Sequence, residues 1–414
     1  MVAGQQATTA GPGAGAAPSP VIHRAGTTRG ARSAGRIPLQ RSVIAAELTG
    51  IASLAVRDLL NGPRREGRII AVIRGSVFAE FPNAPYEPRV IALCGREAMR
   101  LPNAIVAIDP LILGPSAAPP TPASAPTAVL TSPGPIPPAP GTTSAPAPPA
   151  AGTTPTPAPP AVPVSPAAPS LVPGAAAMPG AAAAVTDLIV AAASPRPVRG
   201  RPREPVVYIG GGMLRIGGLV VRGRRWWDPS PVFGPLSRTR LDHGVTTLSR
   251  IITEPAGRAW MAGVADVRAL AACCANGDLA GAVEHAEVLV GLGPGMVPGG
   301  DGVLCGMLLA LRLLGGALPG GTRAVWLADW LSAAVTGYAR QRTTPLAASV
   351  LHCASRGQAS AEVAAVLHGM TGEEALEPAV RTLLAADPSG ILAAADLAWG
   401  LVSGCRAAQV LSVS

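Results

Sequence analysis

Val290-Gly291-Leu292-Gly293-Pro294-Gly295-Met296-Val297-Pro298-Gly299-Gly300-Asp301-Gly302 runs without a break into the apolar segment Val303 to Leu314. The first part reads as a glycine- and proline-rich loop and the second as the start of a buried helix. Residues without a Cβ let backbone N–H groups turn toward one point, and a helix start adds about half a positive elementary charge there. Such a stretch can hold an anion. The plainer reading is a tight connection between two packed helices, in which glycine and proline only permit the turn.

The loop lacks the G-x-G-x-x-G spacing of a dinucleotide site and has no G-K-[ST] ending, which excludes the Rossmann and Walker readings. Lysine occurs nowhere in the chain, and all 33 basic residues are arginine. Lysine nucleophiles, Schiff-base cofactors and the P-loop or kinase lysine are therefore excluded. Any cationic clamp must be arginine, which suits flat carboxylates and phosphates.

Outward from the loop the pattern is helical from about Thr253 onward. The spacing predicts helices over Ala262 to Ala275, Leu279 to Val290, Gly302 to Leu314, Arg323 to Arg340, Pro345 to Ser355, Ser360 to Met370, Glu373 to Ala385 and Ile391 to Val402. Gly277, Gly315, Gly357 and Gly372 stand where C-terminal stops belong. Upstream, Ser42 to Leu60 carries apolar residues at helical spacing, with Ser42 as N-cap. Short β-type runs follow at Arg68 to Ile73, Val77 to Phe81, Val90 to Leu93 and Ala104 to Ile108, and again at Val206 to Ile209, Met213 to Ile216 and Leu219 to Val221.

The expected class is α+β, an N-terminal β-rich domain (antiparallel sheet or barrel-like) followed by an all-helical C-terminal domain. Its parts are a disordered tail over 1–40, the first β-rich part with a leading helix over 41–113, a Pro/Ala-rich insertion over 114–184, the second β-rich part over 185–252 and the helical domain over 253–414. The insertion cannot bury enough apolar surface to fold and favours extended polyproline II.

The formal charge of +9 resembles a nucleic-acid signal. However, Arg24, Arg29, Arg32 and Arg36, then Arg196, Arg199, Arg201 and Arg203, lie in segments expected to be flexible, so no specific nucleic-acid partner is assigned. Cys94, Cys273, Cys274, Cys305, Cys353 and Cys405 show neither C-x-x-C nor zinc spacing and read as buried reduced thiols. No metal ligands are assigned, and no cofactor is identified. The first forty residues have no secretory h-region, and Val303 to Leu318 is interrupted by Arg312 and short of a span. The expectation is a soluble cytoplasmic protein with no membrane partner.

The loop Gly291 to Gly306 resembles the G-x-G-P-G-L-T-P-S-G-D-D-F-x-x-G hallmark of the AllH-type oxamate carbamoyltransferase subunit family. Arg342-Thr343-Thr344-Pro345-Leu346-Ala347-Ala348-Ser349, followed by Ala354-Ser355-Arg356-Gly357, is similar to a second family segment. Gly67 to Phe81 with Leu101-Pro102-Asn103 looks like the family's first strands, and Ser389-Gly390 with Asp396 resembles a late S-G-x-x-x-x-x-D element. The family's threonine is Val297 here, its serine is Gly299 and its second aspartate is Gly302.

The resemblance implies a subunit acting alongside partner proteins on a small anionic substrate, with oxalurate and phosphate giving oxamate and carbamoyl phosphate. It nominates Asp301 as the catalytic candidate, with Gly293, Gly295, Gly299, Gly300, Arg342, Thr343 and Thr344 as substrate-binding candidates. N–H donors at a helix start would stabilise a tetrahedral carbamoyl intermediate. The alternative is a degenerate, non-catalytic anion-binding or scaffold subunit that partners an active homologue. Asp301 and the two threonines also fit plain helix caps. His243 and His352 lack an adjacent partner, and Trp226-Trp227 fits the packing of a domain edge.

Overall fold

The computed structural model describes residues 46–73, 75–108, 179–194, 196–198, 201–253, 259–388 and 390–413. The expected tail over 1–40 and most of the expected insertion lie outside them. The N-terminal half contains β1 (Ala46–Ser53), α1 (Arg57–Asn61), β2 (Arg65–Ile73), β3 (Ser76–Glu80), β4 (Val90–Cys94) and β5 (Ala104–Ile108). After the undescribed stretch come α2 (Pro179–Ala193), β6 (Arg196–Val198), β7 (Arg201–Arg203), β8 (Val207–Gly210), β9 (Met213–Ile216) and β10 (Leu219–Trp227).

Eight of these strands close a barrel in the order β1-β10-β9-β8-β2-β3-β4-β5, and β6 pairs with β7 as a separate hairpin. The sheet thus continues across the insertion. It is not wholly antiparallel, because β1 runs parallel to β10 and β4 parallel to β5. The expected leading helix over Ser42 to Leu60 is corrected: β1 occupies Ala46–Ser53, and among the described residues of that stretch the α-helix is confined to Arg57–Asn61. Helical spacing lost to tertiary pairing. β1 is hydrogen-bonded on both sides, to β10 and β5, and buries Leu48, Gly50 and Ala52 at period two.

One wall of the barrel is buried on both faces. Val77, Ala79, Ile91, Leu93, Ile105 and Ala107 point into the barrel core, while Phe78, Val90, Ala92, Cys94, Ala104 and Val106 pack with the helical half. That double burial is why β3, β4 and β5 read as unbroken apolar runs. The helix α2 buries Val185, Ile189 and Ala192 in the barrel core, and it meets Gly75, Gly95 and Gly217 at one barrel end. Its first residues fall within the stretch expected as linker.

The helical half comprises α3 (Arg238–Thr253), α4 (Ala265–Asn276), α5 (Leu279–Leu289), α6 (Gly299–Leu309), α7 (Gly315–Ala317), α8 (Thr322–Arg342), α9 (Pro345–Ser355), α10 (Ala361–Thr371), α11 (Leu376–Ala386) and α12 (Ala394–Leu411). A π-helical turn, Ala310–Leu314, joins α6 to α7, so the helix passes Gly315 instead of stopping there. Every residue of α6 is buried. Gly299–Ala317 is long and apolar enough to cross a membrane, yet 78% of its most apolar window lies inside the protein, where it packs on α12 and α9.

Candidate functional site

The site is built where α5, α6, α8 and α12 meet. Gly306 on α6 lies against the Leu397 carbonyl, and Gly400 on α12 against the Val303 carbonyl, closer than any Cβ would allow. This contact brings the chain before α12 onto the glycine loop. Ile391 supplies the bridge: its carbonyl accepts from the N–H groups of Met296 and Val297, each at 3.0 Å.

The loop's donors are then largely spent within the protein. Leu292 N–H donates to the Leu289 carbonyl at 3.0 Å and Gly300 N–H to the Leu292 carbonyl at 2.8 Å, while Gly302 N–H donates to the Pro298 carbonyl. Gly293, Gly295 and Gly299 keep N–H groups with no acceptor among the described residues. Gly293 and Gly295 hold φ values of 112° and 106°, which a side chain rarely adopts. Gly295 and Pro294 form the exposed crown, and the Trp260 ring lies beside Gly293.

Asp301, in the first turn of α6, is fully buried. Its Oδ1 accepts from Gly291 N–H at 3.0 Å and its Oδ2 from the Thr343 hydroxyl. Burial dominates over these two hydrogen bonds and pushes its carboxyl up to about 6. Thr344 donates to the Met296 carbonyl, and its Oγ1 caps α9 by accepting from Ala347 N–H at 3.1 Å. The structure therefore brings Asp301, Thr343 and Thr344 together with the loop.

Arg342 is divided. Its carbonyl lies against Gly291, while its guanidinium donates to the Glu287 carbonyl at 2.8 Å and sits 5.8 Å from the Tyr338 ring centroid. The cation faces α5, on the exposed surface. Gly299 and Gly300 belong to α6 itself. A Cβ on Gly300 would strike the Leu289 carbonyl, and one on Gly299 would lie 2.8 Å from both Asp396 Oδ2 and Met261 Cγ.

Asp396 is the residue that sequence reasoning reached only through a loose family element. It is buried, its Oδ1 accepts from Met261 N–H at 2.7 Å, and burial raises its carboxyl above the ordinary range. Asp387 supports the same segment, with Oδ2 accepting from Leu392 N–H at 3.0 Å and Ala394 N–H at 3.1 Å. Two carboxylates of the protein, Asp301 and Asp396, thus already stand at the start of α6. Trp260 and Ile391 carried no sequence signal, since neither lies in a motif.

The positions where the family carries other residues have a shared environment. Val297 and Gly302 line a small apolar cavity of about 30 Å³ with Cys305, Leu309 and Leu397. A Cβ on Gly302 would lie 2.8 Å from Ala393 Cβ and 3.0 Å from the Ala393 carbonyl oxygen. Beside it, a cleft of about 260 Å³ between barrel and helices is lined by Ser76, Glu97, Met99, Asp387 and Ile391. Among the described residues no group of three or more His, Cys, Asp or Glu is placed to hold a metal.

The remaining nominees stay outside this site. His243 is exposed on α3, and burial lowers the His352 imidazole on α9. Trp226 packs on the barrel core. Five of the six cysteines are buried and none is paired, with burial pushing the Cys94, Cys274 and Cys353 thiols up to about 12.

The family model described as oxamate carbamoyltransferase subunit AllH matches residues 289–405. The match begins at the last residue of α5, takes in the whole glycine loop and ends in α12, and it bears out the AllH-type resemblance over that segment. No curated protein and no solved structure matches the chain.

Proposed function

We propose that this chain is a subunit of a carbamoyl-transfer system acting on a small carboxylate, and that the bond-making groups come from a partner. The subunit role rests on the family description. The non-catalytic role rests on one observation: the space in which the family's serine and second aspartate would stand is taken by Asp396, Met261 and Ala393. Asp301 has both oxygens committed to Gly291 and Thr343, so it serves as a buried tie between loop and α8.

A second reading has its own support. The unspent N–H groups of Gly293 and Gly295 form an exposed edge that can receive an oxamate carboxylate or a phosphate without moving a proton. Oxalurate phosphorolysis by the purified chain, alone and after Val297→Thr, Gly299→Ser and Gly302→Asp together, tests the main reading. The expected result is no turnover in either, with a lower Tm for the triple variant because its new side chains meet α12 and Met261. Turnover gained by the triple variant would overturn it. A Tm rise with phosphate, carbamoyl phosphate or oxamate that disappears in Gly295→Ala supports the anion edge.

A further inference from the structure

The helix α8 is apolar on two opposite sides. Its inner side buries Ala324, Leu327, Ala328, Leu331, Val335 and Ala339. On its outer side Trp326 and Trp330 are 52% and 53% exposed, in a chain with only 3% aromatic residues. Their rings stand edge to face with centroids 6.0 Å apart. Ala333 and Gly337 continue the same line in the open, and a Cβ on Gly337 would meet nothing within 4 Å. A contiguous apolar strip left in the open on a helix already buried along its other side marks a surface that meets a partner.

Trp326, Trp330, Ala333 and Gly337 are spaced four, three and four residues apart, which is the seam pattern of a helix that pairs with another helix. The pattern is also graded, with two large residues in the N-terminal half and two small ones in the C-terminal half. Laid antiparallel on a two-fold axis, the seam fits itself: Trp326 falls over the partner's Gly337 and Trp330 over the partner's Ala333. A two-fold interface requires this kind of self-complementarity, in which one surface patch meets its own copy.

From this we infer that α8 is the dimerisation helix, and that its occupant is a second copy of this chain. The seam itself carries no charge; on its flanks Asp329 is paired with Arg312 and Arg340 with Glu87, and Arg323 stands exposed near its N-terminal end. The two half-exposed indoles bring about 250 Å² per protomer under cover, roughly a third of the ~800 Å² that a standard interface buries on each side. The flanks of a helix about 31 Å long supply further area. The same helix delivers Thr343 to Asp301 at its C-terminal end, so the pairing would fix one wall of the candidate site.

Sedimentation of the full chain between about 1 and 100 μM tests the proposal, with Gly337→Glu as the decisive variant because the isolated protomer has room for that side chain. The expected result is twice the 41.3 kDa chain mass for the unaltered protein, and 41.3 kDa for Gly337→Glu with an unchanged far-UV spectrum. Trp326→Ala with Trp330→Ala should weaken association at least tenfold. An unaltered chain that stays at 41.3 kDa throughout would show that the seam serves another partner or none, and would overturn the inference. So would a dimer that persists in Gly337→Glu.

Discussion

The loop crown from Gly291 to Gly295 and the helix start from Gly299 to Gly306 are both rich in glycine, but for different physical reasons. At the crown glycine is required by backbone conformation, as the φ values of Gly293 and Gly295 show. In α6 the backbone is ordinary helix, and glycine is required because another backbone passes at contact distance. Gly293 and Gly295 in the crown, and Gly299 at the first position of the helix, leave N–H groups unspent. A glycine-rich stretch that resembles one anion cradle is, over its second half, a helix-packing surface.

Breaking the packing region should give the largest effect. Gly306→Val would push a branched side chain into the Leu397 carbonyl and the Leu401 amide, both main-chain atoms that cannot swing away. A loss of more than about 3 kcal/mol is expected, because α6 and α12 would have to separate. Chemical denaturation followed by circular dichroism should show a midpoint far below that of the unaltered protein. An unchanged midpoint would mean that the two helices do not meet as closely as Gly306 and Gly400 indicate.

The tie between the two regions ranks next. Asp301→Ala leaves Gly291 N–H and the Thr343 hydroxyl without their acceptor in a buried place, at a cost of about 2 kcal/mol or more. Asp301→Asn sharpens the comparison through pH. Because the folded carboxyl sits near 6, above its ordinary 3.8, the folded protein holds a proton that the unfolded chain releases between those values. Asp301 therefore favours folding fully below about pH 4, and that contribution is lost as pH rises toward 6. Asn does not titrate. The difference in stability between the two proteins should move in favour of Asp301→Asn as pH rises from 4 to 7, by up to about 3 kcal/mol. A difference that stays flat over that range would place the Asp301 carboxyl at an ordinary value.

From α4 onward the sequence displayed the helices well, because their apolar spacing and their caps are local, whereas α3 (Arg238–Thr253) lies in the stretch expected as β-rich. Thr344, Ser360 and Asp278 cap α9, α10 and α5 by side-chain acceptance, and Gly277 and Gly372 end α4 and α10 in left-handed conformation. The barrel was visible as strands but its closure was not, since β1 is strand only through partners some 55 to 175 residues away. The same limit applied at the site. Asp301, Thr343 and Thr344 could be nominated from motif positions. By contrast, the roles of Ile391, Asp396 and Trp260 come from how α12 and the turn before α4 lie against the loop. Nothing near them in the chain announces that.

Two single-atom additions separate conformational strain from crowding, and they give the smallest effects. Gly211, in the turn between β8 and β9, has φ 61° and open space where a Cβ would go. Gly211→Ala should therefore cost only the left-handed backbone penalty, about 1 kcal/mol. Gly295→Ala adds crowding to strain: its Cβ would lie 2.9 Å from the Ile391 carbonyl, the acceptor that holds Met296 and Val297. Its cost should exceed that of Gly211→Ala by about 1 kcal/mol. Paired thermal melts of the two variants measure the difference directly. If Gly295→Ala proved the milder change, the crown would have room to yield, and its geometry would not depend on the Ile391 bridge.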